Sequence, residues 1–244
     1  MQRPIKTKAI ISKIKNLTED VKHFELKLED NFNFKAGQFI NLSLEEDGKN
    51  IKRPYSIASH PLNKNKIELC IKLVKDGLFT PILWKKKEGD EIEIMGPLGL
   101  FNTEKIKKIE NETALTSDIK PTLVFIGTGT GIAPLRSIIK DLIAQEKEYQ
   151  IQLIFGMRFE NSHLYNQEFK DLEILSPNFK YIPVTSRPSE SWQGRIGHVQ
   201  DNLNQIDPLN SQIFICGLPE MVNDVTKKLE LRGVNKENIF SEKY

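Results

Sequence analysis

The stretch TLVFIGTGTGIAPLRSIIKDL, residues 122–142, decides the fold of the second half of this chain. It opens with a continuous apolar run, which is typical of a parallel strand that is buried on both faces. Alternating glycines follow, and then an amphipathic run in which Leu135, Ile138 and Leu142 share one helical face. Because Pro134 suits the first turn of a helix, the order of strand, glycine turn and helix predicts a βα unit.

The same alternation continues towards the end of the sequence. Further buried-strand runs are IQLIFG, KYIPVTS and QIFICG, at residues 151–156, 180–186 and 212–217. A second helical stretch, residues 218–233, carries an apolar stripe and ends at Gly233, a natural C-terminal cap. The alternation predicts a doubly wound α/β domain with a parallel sheet.

The first part of the chain has a different period. Short segments alternate apolar and polar residues, and turn residues such as Asp47-Gly48 and His60-Pro61 separate them. This pattern is typical of antiparallel strands with one wet face. We therefore predict an antiparallel β-barrel over residues 1–101, a polar linker over 102–120 and the α/β domain over 121–244.

Composition limits the class of protein. Hydrophobic residues make up 39% of the 244 residues and charged residues 28%, which predicts a soluble globular protein. A formal net charge of +2 gives no argument for nucleic acid binding. No apolar run approaches the ~20 residues that span a bilayer, so no membrane insertion is expected. The two cysteines, Cys70 and Cys216, are too few for an iron–sulfur cluster or a thiolate zinc site, and we expect no metal and a cytoplasmic location.

The glycine turn GTGTG is the first candidate binding motif. Glycines let the backbone approach a pyrophosphate closely, and the N-terminus of a helix offers free N–H groups. The alternative is a glycine-rich turn with no ligand. The next strand ends in Gly-Met-Arg, without the acidic residue of an ordinary NAD-binding unit, so a different type of dinucleotide site is indicated.

Three other motifs contain residues that suit cofactor binding. In KRPYSIAS, Arg53 can clamp a phosphate and Tyr55 can stack on a planar ring, or the two can be a surface pair on an edge strand. Pro54 cannot donate to a sheet, so its strand should have an edge or a gap there. In DGLFTPILWKK, Thr80 and a helix start form a second phosphate cradle or a simple turn. In CGLPEMV, Cys216 is a buried small residue or a thiol that faces a ligand.

In this order, the motifs resemble those of the ferredoxin–NADP(+) reductase superfamily of flavoproteins. KAGQFINL, RPYSIAS, GLFTPIL, GDEIEIMGPLG, GTGTGIAPLRS, CGLPEMV and IFSEKY follow the family's sequence and spacing over nearly the whole chain. The resemblance implies an N-terminal FAD-binding barrel and a C-terminal NAD(P)-binding domain. It also implies an oxidoreductase that uses FAD and NADP(H), with hydride transfer between the nicotinamide C4 and the flavin N5.

The resemblance assigns roles to individual residues. It implies that Tyr55 packs on the isoalloxazine of FAD and that Ser56 approaches the flavin N5. The other residues that it implies for FAD are Arg53, Pro54, Cys70, Ile71, Lys72, Gly77, Leu78 and Thr80. It implies that Cys216 lies near the nicotinamide C4, and the other residues of these motifs for the dinucleotide are Thr128, Gly129, Gly131, Gly217 and Met221. The candidate catalytic residues are then Ser56, Cys216, Glu242 and Tyr244.

The choice between NADPH and NADH depends on recognition of a 2′-phosphate. Members of the bacterial NADPH-using branch carry arginines at places that match Arg158, Arg187 and Arg195, and Ser186 adds a hydroxyl donor. Each charge-assisted hydrogen bond contributes about 1.5–3 kcal/mol, which predicts a preference for NADPH. The alternative is that these are solvated surface arginines, and that Glu160 holds a free ribose 2′-OH as in NADH binders.

We expect the electron acceptor to be a separate partner, because this chain has too few cysteines for a built-in iron–sulfur domain. Ferredoxins and flavodoxins are acidic, and lysine groups can offer them a positive surface, unless the lysines form only a solvated face. These lysines are Lys85, Lys86, Lys87, Lys105, Lys107 and Lys108. The alternatives are an NADH-dependent flavin reductase or oxygenase reductase component, a subunit of a larger electron-transfer complex, and a dinucleotide-binding module without flavin. The family precedent implies a monomer.

The last residues, IFSEKY, raise the question whether Tyr244 belongs to a frayed tail. In plant-type members of the family a tyrosine stands two residues after a glutamate, and Glu242 and Tyr244 reproduce that spacing. The resemblance implies that Tyr244 lies flat on the flavin face where the nicotinamide binds. It also implies that Ile239 anchors the segment and that Glu242 supplies protons through Ser56.

Overall fold

The structure, a computed structural model, describes residues 3–29, 32–106, 121–146 and 149–244. The chain divides into two compact units. The first comprises Met1–Thr103 with Arg136–Asp141, and the second comprises Glu104–Leu135 with Leu142–Tyr244. Most of the predicted linker, residues 107–120, lies outside the described residues, and with it Lys107 and Lys108. In the described ranges no helix is long and apolar enough to cross a membrane.

The first unit contains a six-stranded antiparallel sheet that curls into a half-barrel, as the alternating pattern predicts. Its elements are β1 (Ile5–Asn16), β2 (Val21–Leu28), β3 (Phe39–Glu46), β4 (Lys49–Ser56), β5 (Lys66–Lys72), α1 (Thr80–Lys85) and β6 (Glu91–Leu98). The strand order is β4-β3-β6-β1-β2-β5, which places β4 and β5 at the two edges. Pro54 therefore lies on an edge strand, where a missing backbone donor is tolerated.

The core of this unit lies on the concave face of the half-barrel. In β2, Phe24, Leu26 and Leu28 point inward at every second position, and their exposed fractions are 1%, 1% and 3%. The hairpin between β3 and β4 turns at Asp47 and Gly48, whose φ angles are 50° and 71°. Two successive positive φ angles suit a tight two-residue hairpin, so this turn fixes the register of the edge strand β4.

The second unit contains a six-stranded sheet in which every neighbouring pair is parallel. Its elements are β7 (Thr122–Thr128), α2 (Ile132–Ala144), β8 (Gln150–Met157), α3 (Asn166–Leu175), β9 (Phe179–Thr185), β10 (Arg195–Ile196), β11 (Ser211–Gly217), α4 (Pro219–Leu231) and β12 (Ile239–Lys243). The strand order is β10-β9-β8-β7-β11-β12, so the chain moves outward from β7 in both directions. This is the predicted doubly wound α/β arrangement, with its switch point between β7 and β11.

The final segment is a strand, which the sequence patterns did not predict. β12 pairs with β11 in parallel from Ile239 beside Ile213 to Lys243 beside Gly217. Ile239 packs against the apolar core of the unit, as predicted, so the segment that ends at Tyr244 is anchored and not frayed.

Candidate functional site

The edge strand β4 presents the residues predicted to bind FAD. Arg53 and Pro54 are exposed, and Tyr55 is half-buried with its ring centroid 5.8 Å from that of Phe79. Burial raises the pKa of Tyr55, so its hydroxyl stays neutral at ordinary pH. The structure therefore offers an exposed cation and a fixed, uncharged aromatic ring on neighbouring residues. Both suit a flat, phosphate-bearing cofactor.

The two edge strands approach each other just beyond Ser56, which is half-buried. Ile57 forms an antiparallel bridge with Leu69, and Ala58 N donates to Glu68 O at 2.7 Å. This brings the end of β4 beside the middle of β5, an arrangement consistent with the predicted role of both strands in FAD binding. On β5, Cys70 and Ile71 are buried, so a group lying along this strand would meet its backbone.

The loop between β5 and α1 is held by Thr80. Its hydroxyl accepts a hydrogen bond from Val74 N at 2.9 Å and donates one to Val74 O at 3.2 Å. Gly77 N also donates to Val74 O, at 2.9 Å, and Leu78 is 70% exposed. The resemblance implies that the Thr80 hydroxyl helps to hold the FAD pyrophosphate, and this stays a prediction. In the structure that hydroxyl is bonded to Val74, so it closes the loop, and Leu78 is the exposed residue of the loop.

A cluster of metal-ligand residue types lies elsewhere in the first unit. Ligand atoms of His23, Glu25 and Glu68 lie within 4.8 Å of one another. Lys66 Nζ is 2.9 Å from Glu25 and 3.4 Å from Glu68, and Arg136 is 2.7 Å from Glu68. Because two cations already neutralise these carboxylates, the cluster is an ion-pair network in this structure.

The predicted glycine loop joins β7 to α2 in the second unit. Gly129 has a φ of 55°, which favours glycine. Gly131 lies so close to β11 that a Cβ added there would collide with the carbonyl oxygen of Cys216. The glycines thus serve both backbone conformation and close packing, at the carboxyl edge of the sheet where α/β folds bind ligands.

Residue Tyr244 lies on this glycine loop. Its hydroxyl donates to Thr128 O at 2.8 Å and accepts from Gly131 N at 3.2 Å, although the residue is 53% exposed. Parallel pairing of β12 with β11 carries the chain to this point. The predicted stacking of Tyr244 on the flavin stays a prediction. The contact with the loop was not foreseen.

Cys216 and Glu242 lie side by side on the paired strands β11 and β12. Residue Cys216 is 2% exposed, and burial, with the charge of Glu242 as a second cause, raises the pKa of its thiol. The thiol is therefore neutral and is not a nucleophile at ordinary pH. The structure also brings together Thr128, Gly217 and Met221, because an added Cβ at Gly217 would touch the side chains of the other two.

The arginines predicted to select the dinucleotide also gather at the carboxyl edge of the sheet. Arg158 follows β8, and Ser186 and Arg187 follow the adjacent strand β9. The backbone N–H of Arg187 donates to Arg158 O at 2.8 Å. Arg195 opens β10 and pairs with Val184 of β9. All three arginines are exposed and Ser186 is half-buried, so the side chains are open to an anionic group.

Sequence reasoning missed the residues that support this edge. His163, Thr185 and Trp192 form a contacting group, and Trp192 also bonds to the backbone carbonyl of Arg195. Glu160, considered as a ribose ligand, accepts a hydrogen bond from Ser189 Oγ at 2.7 Å. The one local signal was the position of Trp192 three residues before Arg195, in the motif that supplies an arginine.

The two units therefore offer different binding surfaces. The first combines a cation, a flat ring and an outward-facing loop, which fits FAD. The second combines a glycine loop, the N-terminus of the 13-residue helix α2 and exposed arginines, which fits a dinucleotide that carries phosphates.

Comparison with known proteins agrees with this geometry. Residues 8–103 match the family model of the oxidoreductase FAD-binding domain, and residues 125–227 match that of the oxidoreductase NAD-binding domain. The chain is 33% identical over 224 residues to ferredoxin–NADP reductase B of Sorangium cellulosum, across 87% of this chain and 86% of that protein. It is 29% identical over 244 residues to the reductase component of phenol 2-monooxygenase from a Pseudomonas strain, across 97% of this chain and 65% of that protein.

A solved structure shows the same two-domain fold. The ferredoxin–NADP+ reductase of Neisseria gonorrhoeae, determined with bound FAD and NADP, matches with a TM-score of 0.82 and 25% identity over 98% of both chains. The fold, the two cofactors and the family inferred from the motifs are thereby confirmed. The chain belongs to the ferredoxin–NADP(+) reductase family, and it is a flavoprotein oxidoreductase with an FAD-binding and an NAD(P)-binding domain.

Proposed function

We propose that this chain is an NADPH-dependent FAD enzyme that exchanges electrons with a separate one-electron carrier, a ferredoxin or a flavodoxin. The observation that carries the proposal is the grouping of Arg158, Ser186 and Arg187 at the ends of adjacent strands, with Arg195 on the next strand. A cluster of exposed guanidinium groups suits a phosphate monoester, and the 2′-phosphate is the group that NADPH adds to NADH. The similarity to a ferredoxin–NADP reductase over most of both chains supports the same activity.

The residues of the first unit have defined tasks in this proposal. When bound, FAD supplies the group that accepts two electrons together and releases them singly. Arg53 offers a counter-charge to its phosphates, and Tyr55 offers a flat neutral surface to its ring system. The loop that Thr80 closes onto Val74 presents backbone to the pyrophosphate. The approach of Ser56 to the flavin N5 stays a prediction.

The residues of the second unit orient the dinucleotide. Thr128, Gly129 and Gly131 form the loop that the pyrophosphate would approach, and Tyr244 must leave that loop to free the Gly131 N–H. Cys216 is neutral, so it adds no charge beside the nicotinamide. Proton supply by Glu242 stays a prediction.

A comparison of dinucleotides tests the proposal. We expect kcat/KM for NADPH to exceed that for NADH by roughly a hundredfold or more, because two charge-assisted hydrogen bonds contribute about 3–6 kcal/mol together. Arg187→Ala should lower kcat/KM for NADPH at least tenfold and leave kcat/KM for NADH nearly unchanged. Arg3→Ala is the matched control, since Arg3 is exposed in the first unit and lies in none of the assigned motifs. A ratio near one in the parent enzyme would remove the NADPH proposal.

The carrier is tested by its dependence on salt. Lys85 and Lys87 are exposed at the end of α1 and Lys86 is half-buried, while Lys105 is exposed in the second unit. We expect reduction of cytochrome c through added ferredoxin or flavodoxin to fall steeply between low and high salt, because long-range attraction is screened. A flat response would remove these lysines from the docking surface.

The second candidate function is that of an NADH-dependent flavin reductase or an oxygenase reductase component. The similarity to a phenol 2-monooxygenase reductase component covers 97% of this chain and favours it. This candidate predicts a preference for NADH. A flavin reductase would also reduce free flavin. The first candidate predicts neither a preference for NADH nor the reduction of free flavin.

A further inference from the structure

The loop between β9 and β10, residues 186–194, is held by a stacked pair of rings. The indole of Trp192 lies parallel to the imidazole of His163, with ring centroids 5.6 Å apart and an interplanar angle of 11°. The indole Nε1 donates to Arg195 O at 3.0 Å. The indole also covers Gly194, where an added Cβ would collide with the ring. Trp192 therefore fixes the backbone at Arg195 from within the same loop.

His163 gives this stack a rigid base. It is 7% exposed, and its Nε2 hydrogen-bonds to Thr185 Oγ1 at 2.8 Å. On its other side, Nδ1 lies 3.5 Å from the hydroxyl of Tyr181. Phe155 meets the ring edge-on at 5.8 Å. Strands β8 and β9 thus hold the imidazole, and the imidazole holds Trp192.

A second tie connects the same two segments. Glu160 lies three residues before His163, and its carboxylate accepts from Ser189 Oγ at 2.7 Å. Ser189 Oγ in turn lies 2.9 Å from Ser191 Oγ. The turn at 160–163 therefore contacts the loop at two residues, Ser189 and Trp192. Both lie on the stretch between Arg187 and Arg195.

We propose that Trp192, stacked on His163, and Ser189, bonded to Glu160, are positioning residues that hold Arg187 and Arg195 in place for the 2′-phosphate of NADPH. The inference rests on the proposed NADPH function and assigns a role to residues outside the family motifs described above. None of these residues touches the reacting atoms. Their effect is to fix the loop backbone that carries the two arginines, so that this backbone does not have to be ordered when the phosphate binds. Glu160 then serves NADPH binding by holding the loop and does not act as a ribose ligand.

The test uses binding of 2′-phospho-AMP and of AMP, followed by tryptophan fluorescence. A Trp84→Phe background leaves Trp192 as the sole tryptophan, since the sequence contains two. In that background, 2′-phospho-AMP should change the Trp192 emission and bind at least tenfold more tightly than AMP. Measured by calorimetry, Trp192→Ala should lower the affinity for 2′-phospho-AMP about tenfold and change the affinity for AMP less than twofold. Trp192→Phe keeps the stack but loses the bond to Arg195 O, so its effect should be intermediate.

Coupling to the arginines separates positioning from general stability. If Trp192 acts through them, Trp192→Ala should have no further effect on 2′-phospho-AMP in an Arg187→Ala/Arg195→Ala background. Ser189→Thr keeps the hydroxyl and should keep the affinity for 2′-phospho-AMP. Ser189→Ala removes the hydroxyl and should lower that affinity. The inference is overturned if Trp192→Ala retains the parent's discrimination, or if it weakens AMP equally. A parent that fails to discriminate the two nucleotides would overturn the NADPH proposal and this inference together.

Discussion

The backbone N–H of Gly131 donates a hydrogen bond to the hydroxyl of Tyr244 at 3.2 Å, so residue 244 occupies a donor of the glycine loop. The same hydroxyl donates to Thr128 O at 2.8 Å. A dinucleotide pyrophosphate typically accepts hydrogen bonds from such backbone donors at the start of a helix. If the dinucleotide binds this loop as proposed, we expect its pyrophosphate and Tyr244 to compete for the Gly131 N–H.

Tyr244→Phe removes only the hydroxyl and should tighten NADP(H) binding about threefold to tenfold. The reason is that a hydrogen bond of about 1 kcal/mol no longer has to be broken before the dinucleotide binds. Tyr244→Ser removes the ring as well, and should tighten binding further and slow product release. The measurement is the Kd of NADP+ by difference absorbance, with the turnover rate of each variant. Equal affinity in the parent and both variants would show that the contact does not oppose binding.

Gly131→Ala should destabilise the second unit and abolish dinucleotide binding. The new Cβ would lie 2.7 Å from the carbonyl carbon of Cys216 and 3.0 Å from Gly217 N, and these are backbone atoms that cannot rotate away. Overpacking of this kind costs about 1–3 kcal/mol or more. Thermal unfolding and the Kd of NADP+ measure the two effects.

The control for this prediction is Gly48→Ala. Gly48 has open space around its Cβ position, but its φ is 71°. Alanine there should cost about 1 kcal/mol through backbone strain and leave NADP+ affinity unchanged. The same loss of affinity in both variants would mean that the close approach of Gly131 to β11 is unimportant.

Acidification should destabilise the second unit through His163. Burial, with a smaller effect of Lys170, lowers the pKa of His163 to about 4, below its ordinary value near 6.5. Between these two values the unfolded chain binds a proton that the folded chain does not. The free energy of unfolding should therefore fall as pH drops from about 6.5 to about 4, by up to ~3 kcal/mol, and this contribution levels off below that.

Urea unfolding at several pH values, followed by Trp192 emission in the Trp84→Phe background, measures this dependence. Carboxylates also titrate at low pH, so the informative quantity is the difference between the parent and His163→Gln. The variant should show a shallower fall over the same interval. Two parallel curves would contradict the assignment of a neutral buried imidazole.

Local sequence patterns were enough to predict most of the fold and to identify several candidate binding motifs. Continuous apolar runs predicted β7, β8, β9 and β11 because parallel strands are buried on both faces. The segment IFSEK gave no such pattern, since β12 is an edge strand whose pairing with β11 depends on residues far away in the sequence. The stack of His163 and Trp192 joins residues 29 positions apart. Only the tertiary fold brings such residues together, so no motif of fixed spacing could have revealed them.

The hydrogen bonds of the Thr80 hydroxyl also depend on the folded loop, and its predicted contact with the FAD phosphates stays a prediction. A hydroxyl beside a glycine and a helix start suggested a direct contact with phosphate, because motif and residue type are all that a sequence offers. The structure shows that the hydroxyl bonds to Val74 N and Val74 O. Its partner lies six residues upstream, within the same loop.

Thr80→Val therefore gives a prediction that separates the two roles. It replaces a hydroxyl on a 6% exposed residue with a methyl group of similar size, and leaves the backbone donor and acceptor of Val74 without that partner. The cost should be about 1–3 kcal/mol of stability in the FAD-free protein, together with weaker retention of FAD. Thr80→Ser keeps the hydroxyl and should retain both properties. If Thr80→Val lost FAD while the stability of the FAD-free protein stayed at the parent level, the hydroxyl would act on the cofactor directly and not through the loop.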